Sequence, residues 1–187
     1  MAGEKNLELW EQVKYVREGG DVKRLHTIPI IKSYSVGQHC FNMLGMLRVL
    51  RPEAPAELIW AILEHDLPER MIGDMPSPAK WFGLLDTAAV DAVEEELNGR
   101  YLPQYNATPL DEYEKSWLDA LDMIELYCFC LDEVMLGNKN VSTIISNIHH
   151  IFEELLKSYP AECVMLFKSI QGSTWEILPD IGLEHLR

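Results

Sequence analysis

Residues 61–76 read AILEHDLPERMIGDMP. An apolar run, Leu58 to Leu63, arrives at an adjacent His65-Asp66 and breaks at Pro68, with Glu69 and Asp74 close behind. A helix that only buries one face has no use for an imidazole and a carboxylate at its end. The stretch therefore predicts a helix from Pro55 to about Asp66 that delivers two polar side chains to a shared centre, followed by a loop through Gly73-Asp74-Met75-Pro76.

Outward from this stretch, helical periodicity and helix punctuation recur while strand alternation is nearly absent. A first helix is predicted from Leu7 to Glu18, capped by Asn6 and stopped by Gly19-Gly20. A turn-rich connector, GDVKRLHTIPIIKSY, follows, with Pro29 opposing helix. Ser35 with Gln38 three residues on forms a capping-box pattern, and Pro52 closes that second helix. Pro55 suits the first turn of the third. Ser77-Pro78 begins a short helix and Asp86 another, reaching Asn98-Gly99. Asp111 launches a long helix ended by Gly137, Asn140 starts one to Tyr159-Pro160, and the last runs from Ala161 to Ile170. The expectation is an all-α fold of about seven helices. Residues 1–187 form one domain, with a core of about 7–135 and a C-terminal helical extension over 140–187.

Composition narrows the function. The formal charge of −14 excludes a duplex nucleic-acid binder, which needs a basic stripe to displace counterions. It leaves room for a small phosphorylated ligand held by a few cations and a metal. No run of apolar residues is long enough to span a bilayer, and the first residues lack the apolar stretch of a secretory signal, so no membrane association and a cytoplasmic location are expected. The four cysteines, Cys40, Cys128, Cys130 and Cys163, sit among apolar neighbours without ligand spacing and read as packed free thiols. His149-His150 and the acidic run from Asp91 to Glu96 read as structural and solvated, respectively.

Four candidate ligands fall on three helices: His39, the His65-Asp66 pair, and Asp122. His39 shares a face with Met43, Met46 and Leu50. Adjacent positions on a helix point about 100° apart, so His65 and Asp66 can both reach one centre at its edge. Asp122 lies within WLDALDMIELYCF (117–129), where a lone buried carboxylate would be costly. A divalent metal gives all four a common partner. Two imidazoles and two carboxylates suit a borderline transition ion, Zn, Co or Mn foremost, with Mg also possible. Bound water on such an ion ionises near neutral pH.

The order His39, His65-Asp66, Asp122 resembles the H…HD…D pattern of the HD-domain metal-dependent phosphohydrolases, and HDLPERMIGDMPSPAKW (65–81) is similar to the HDxxExxxGDxPxPxK stretch of small HD nucleotidases. These include bacterial 5′-deoxynucleotidases and phage dATP triphosphohydrolases. VKRLHTIPIIKSYSVGQHC (22–40) resembles their Arg-bearing connector. The resemblance implies a compact helical HD-domain fold and a metal held by His39, His65, Asp66 and Asp122. Glu69 would orient or deprotonate the attacking water, or protonate the leaving oxygen. Asp74 would fix the loop, a water or the substrate sugar; capping the turn after Gly73 is its structural alternative. Arg24, Lys32 and Lys80 would hold phosphate oxygens, Arg24 above all because a guanidinium grips phosphate in two places; a solvated surface cation is the alternative for the two lysines.

Two departures stand out. Relatives carry an aromatic residue after the connector arginine where this chain has Leu25, so base contact could come from neighbours such as Trp81. Relatives also carry a lysine three residues before the last aspartate; here that position is Asp119, with Lys115 one turn back as the substitute. The REGGDVKRLHTIP connector (17–29) looks most like the phage enzymes. It favours a dNTP (dATP) triphosphohydrolase, with a 5′-deoxynucleotidase acting on dNMPs or a non-catalytic metal- or nucleotide-binding module as alternatives. A homo-oligomer, dimer or hexamer, in a bacterial or phage-infected cytosol follows from the same resemblance.

Overall fold

The computed structural model describes residues 8–76, 86–102 and 110–174. The expected Asn6 cap and the short helix at Ser77-Pro78 lie outside these residues. Within them the chain forms α1 (Leu9–Gly20), α2 (Val36–Leu50), α3 (Ala56–Glu64), the one-turn α4 (Glu69–Ile72), α5 (Thr87–Tyr101), α6 (Glu112–Met135), α7 (Ser142–Leu155) and α8 (Ala161–Thr174). Extended pairing among the described residues is limited to one antiparallel bridge between Lys23 and Ser35. The all-α expectation holds.

The caps explain several starts. Ser35 accepts from the Gln38 N–H at the head of α2, Asp86 from Ala89 at the head of α5, and Asp111 from Glu114 at the head of α6. Each satisfies an amide that the first turn leaves without an intrahelical acceptor.

The core gathers around α6. Trp117, Leu121 and Ile124 meet Met43 and Leu47 of α2, Leu58 and Ile62 of α3, and Ile145, Ile148 and Phe152 of α7. Phe167 of α8 stacks on Phe152 with ring centroids 3.9 Å apart. Burying each large apolar side chain contributes about 1.5–3 kcal/mol. The two C-terminal helices contribute Ile145, Ile148, Phe152 and Phe167 to this same cluster. The thiols of Cys40, Cys128, Cys130 and Cys163 are free.

Two sequence expectations change. Gly19 and Gly20 are the last two residues of α1, so the helix ends at Gly20 and not at Glu18. A Cβ on Gly19 would lie 2.8 Å from the Leu67 side chain, and one on Gly37 would lie 3.0 Å from the Gly20 carbonyl oxygen. These glycines are where α1 presses against α2 and against the turn that follows α3. That turn begins earlier than expected. α3 ends at Glu64, and the Leu67 N–H tightens back to the Glu64 carbonyl at 3.2 Å. Pro68 cannot donate the next bond. The buried Asn98 of α5 takes part in closing the helix end instead, donating to the Glu64 carbonyl at 3.3 Å while accepting from Tyr15 at 3.0 Å.

The connector between α1 and α2 is pinned at three places. Its ends meet through Arg24 N–H to Tyr34 O (3.1 Å) and Val36 N–H to Val22 O (3.0 Å). Its middle is held by the fully buried Glu133, whose two carboxylate oxygens accept the Ile31 and Lys32 N–H groups, each at 2.7 Å. Near its start, the Leu25 N–H donates to Asp74 at 3.0 Å, and Leu25 adopts a left-handed φ of 54°. A non-glycine residue takes that conformation only where its surroundings impose it.

Burial pushes the Glu133 carboxyl up, but the N–H groups of Ile31 and Lys32 and the Asn138 amide outweigh it and hold it below the ordinary value. The sign follows: with the folded value depressed, the stabilisation is present above the unfolded value of about 4.3 and lost as pH falls through the folded one. Glu133→Gln should lower stability at pH 7 by about 1–3 kcal/mol. The gap from the parent protein, read from urea unfolding, should shrink steadily below about pH 4.

Candidate metal centre

His39 is fully buried on α2, and its ring is held from behind. Its Nδ1 lies 2.6 Å from Glu125 Oε2 on α6; the same carboxylate accepts from the Tyr34 hydroxyl, and its other oxygen from the Asn42 amide at 2.8 Å. A carboxylate only accepts, so Nδ1 carries the proton and Nε2 faces forward. His65, at the cap of α3, places its Nδ1 3.0 Å from the Ile62 carbonyl. A carbonyl also only accepts, so the His65 Nε2 faces forward as well.

The two forward nitrogens meet carboxylates. Nε2 of His39 is 3.0 Å from Asp122 Oδ1 and 3.9 Å from Asp66 Oδ2, and Nε2 of His65 is 3.3 Å from Asp66 Oδ2. Ligand atoms of His39, His65 and Asp122 all lie within 4.8 Å of one another. Both Nε2 atoms are buried and neither has a hydrogen-bond partner among the described residues. Two lone pairs buried toward carboxylates, each fixed from behind, fit a divalent cation. Burial lowers the proton affinity of His39, but Asp122 and Glu125 on its two sides raise it to about 9. A cation in the place of that Nε2 proton answers the same negative charge.

Arg24 supplies the positive charge that the structure itself contains. Its guanidinium contacts Asp66 and reaches Asp122 at 3.4 Å, linking the two carboxylates of the cluster. Glu69, the first residue of α4, is half-buried and near enough for its charge to act on Arg24. Asp74 holds the connector: besides Leu25, it stands 3.4 Å from His26 Nδ1. Gly73, at a φ of 79°, makes the turn that aims Asp74 there. Asp119, one turn before Asp122, is half-buried, and burial followed by the Asp122 charge pushes its carboxyl up.

Two expected phosphate contacts lie elsewhere. Lys32 pairs with Asp132 at 2.6 Å, ten residues and therefore about 15 Å along α6 from Asp122. Its backbone is fixed there by Glu133. Lys115 is exposed and pairs with Glu112 at 2.8 Å. Lys80 and Trp81 fall outside the described residues.

A cavity of about 520 Å³ opens beside the cluster. Arg24, Leu25, Asp74 and Asp122 form its end nearest the cluster, and α7 forms a long wall. Sequence reading found the cluster but missed Glu125, Asn98 and this wall. Glu125 carried a usable signal: a second acid three residues after Asp122, on the same side of α6 in a largely apolar stretch.

An all-α core with a buried His/Asp cluster, an arginine across its carboxylates and an adjoining cavity has the make-up of a metal-dependent phosphohydrolase of the HD type. The match to known proteins agrees: residues 30–171 fit the family described as 5′-deoxynucleotidase YfbR-like, and the chain belongs to that family. The family implies a divalent metal. The chain is similar to the 5′-deoxynucleotidase YfbR of Escherichia coli O1:K1, of E. coli K12 (DH10B) and of Shigella boydii serotype 18. Each is 30% identical over 40% of this chain and 43% of the relative. The aligned part thus spans less than half the length of these curated relatives.

Glu125→Gln retains the size of the residue while weakening the brace on His39. It should reduce affinity for Mn²⁺ or Co²⁺ about 10–100-fold, measured by equilibrium competition with a chelator, with the helical circular-dichroism signal retained.

Proposed function

We propose that this protein is a metal-dependent 5′-deoxynucleotidase that releases phosphate from deoxynucleoside monophosphates. The observation that carries the reading is the balance of charge around the cluster. Asp66, Glu69, Asp74, Asp119 and Asp122 crowd the site, and among the described residues lining its cavity Arg24 is the one arginine or lysine. A monophosphate asks for one bidentate cationic partner and a metal. A triphosphate spreads about four charges over a longer chain and asks for several. Lys32 and Lys115, which could have supplied them, pair with Asp132 and Glu112 away from the cavity. The connector resemblance that favours dATP is thereby outweighed, and the family match points the same way.

In this reading His39, His65, Asp66 and Asp122 hold the cation. When bound, such an ion, Zn, Co or Mn foremost, would make a water ionise near neutral pH and would draw charge from a phosphate oxygen. Arg24, which contacts Asp66 and Asp122, would hold the phosphate oxygens. Glu69 would orient the attacking water, take its proton and pass that proton to the departing 5′ oxygen. The water oxygen forms the new bond to phosphorus, the P–O5′ bond breaks, and deoxynucleoside and phosphate result. Asp74, by holding Leu25 and His26, keeps Arg24 directed at the cluster and lines the cavity where the sugar would lie. Apolar side chains exposed on α2 and α3, Phe41, Val49 and Trp60, support assembly as a homo-oligomer.

The direct test is product analysis with dNMPs and dATP after chelator treatment and readdition of Mn²⁺, Co²⁺ or Zn²⁺. Phosphate from dNMPs, lost with chelator and restored by metal, is expected; intact triphosphate from dATP without phosphate from dAMP would overturn the monophosphate reading. Asp66→Ala should lose bound metal and activity together. Glu69→Gln should keep its metal, measured by elemental analysis, while kcat falls about 10²–10⁴-fold.

A further inference from the structure

The α7 wall of the cavity is built from one helix face: Thr143, Ile144, Asn147, Ile148 and Ile151. With these spacings the side chains stack above one another along the cavity. Three isoleucines make the wall apolar, and Asn147 sets a carboxamide among them. Asparagine is a poor helix former, and a polar group in an apolar wall costs free energy unless something bonds to it. The other amide in the wall is already engaged: Asn140 donates its Nδ2 to the Pro29 carbonyl at 3.2 Å. The half-buried Asn147 carboxamide has no hydrogen-bond partner among the described residues.

The position of Asn147 relative to the cluster matters as much as its chemistry. The short turn after α6 makes α6 and α7 an antiparallel pair. Ile151 therefore lies toward the Asp122 end of the cavity and Thr143 toward the other, with Asn147 one turn from each. Leu25 and Ile28 of the connector line the same cavity. A flat apolar ring seated among these aliphatic side chains, with its plane crossing the α7 face, would present its edge to Asn147. A carboxamide offers a donor and an acceptor side by side in one plane, the pattern that nucleobase edges carry.

We propose that Asn147 is the base-recognising residue of this site, pairing with the edge of the nucleobase while Arg24 and the metal cluster take the phosphate. The assignment rests on the deoxynucleotide reading above and adds to it the feature that separates a nucleotide from a simple sugar phosphate. It also answers the departure at Leu25: base contact comes from an aliphatic sandwich and one amide on α7, with no aromatic side chain needed at that position.

The test uses Asn147→Leu, which keeps the volume and helix and removes both hydrogen-bonding groups. Binding is measured by titration calorimetry on Mn²⁺-loaded Glu69→Gln protein, slowed in turnover, with and without Asn147→Leu. The ligands are dAMP, dGMP, dCMP, dTMP and 2-deoxyribose 5-phosphate. At least one dNMP should bind about tenfold more weakly to the Asn147→Leu protein, the change expected from one lost hydrogen bond, while 2-deoxyribose 5-phosphate binds equally to both. Equal dNMP affinities, an equal loss for the base-free sugar phosphate, or no dNMP binding at all would overturn the proposal. Steady-state kinetics of the otherwise native protein separate the two readings. Hydrolysis of dNMPs with KM unmoved by Asn147→Leu sinks the base assignment and leaves the nucleotidase standing. Asn147-dependent binding without hydrolysis sinks the nucleotidase and leaves the base assignment standing.

Discussion

The contact between His39 and Glu125 ties the fold to its chemistry. An imidazole with no exposure to solvent on α2 is tolerable only if both nitrogens are accounted for. Glu125 of α6 accounts for Nδ1 at 2.6 Å. Glu125 is itself buried, and it is stabilised because three donors, His39, Tyr34 and Asn42, converge on it. Two of them come from α2 and the third from the end of the connector, so the network locks α2, α6 and the connector into one register. The remaining nitrogen of His39 then faces the only place left to it, the cluster of Asp66 and Asp122.

That register creates an electrostatic problem. Asp66 and Asp122 face each other across two imidazoles in a chain whose net charge is already −14. Arg24 offsets part of it by spanning both carboxylates. The surrounding structure shows how much is invested in keeping Arg24 there. The Asp74 clamp on Leu25, the Glu133 anchor and the bond from the Val36 N–H to the Val22 carbonyl all act on the fifteen residues that carry it. Loop backbones are seldom held at so many points, and here each anchor comes from a different part of the chain: the turn after α4, the far end of α6, and the start of α2.

What the sequence made legible and what it hid divide along physical lines. The convergence of His39, His65, Asp66 and Asp122 was legible because polar residues at core spacing are costly and so need a partner. The caps at Ser35, Asp86 and Asp111 were legible because capping is local. Gly19-Gly20 was misread for the complementary reason. Its role is the close approach of Gly37 and Leu67, residues far along the chain, and local reading can see only a helix breaker. Lys32 was assigned to phosphate on its position in the connector, but the pull of Glu133 and Asp132 on the distant end of α6 decides where it lies. Asn98 and the α7 wall were hidden too, since their partners, the Glu64 carbonyl and the cavity, exist only once the helices have packed.

The same division bears on specificity. Groups that hold a cation must sit within a few ångströms of one another, and rigid helix ends braced from behind suit them; the cluster uses α2, the end of α3 and the middle of α6. Groups that choose among substrates need only line the cavity, and they can be replaced without disturbing the cluster. In this chain the second set is the connector and α7, where aliphatic side chains and a single unengaged carboxamide stand in place of the aromatic residue expected after Arg24. Asp119, where a lysine was expected, adds negative charge beside Asp122, and the α7 wall lines the cavity away from the cluster. A chain can therefore keep the HD cluster intact while the cavity beside it changes, because among the described residues the two sets meet at Arg24 and Asp122.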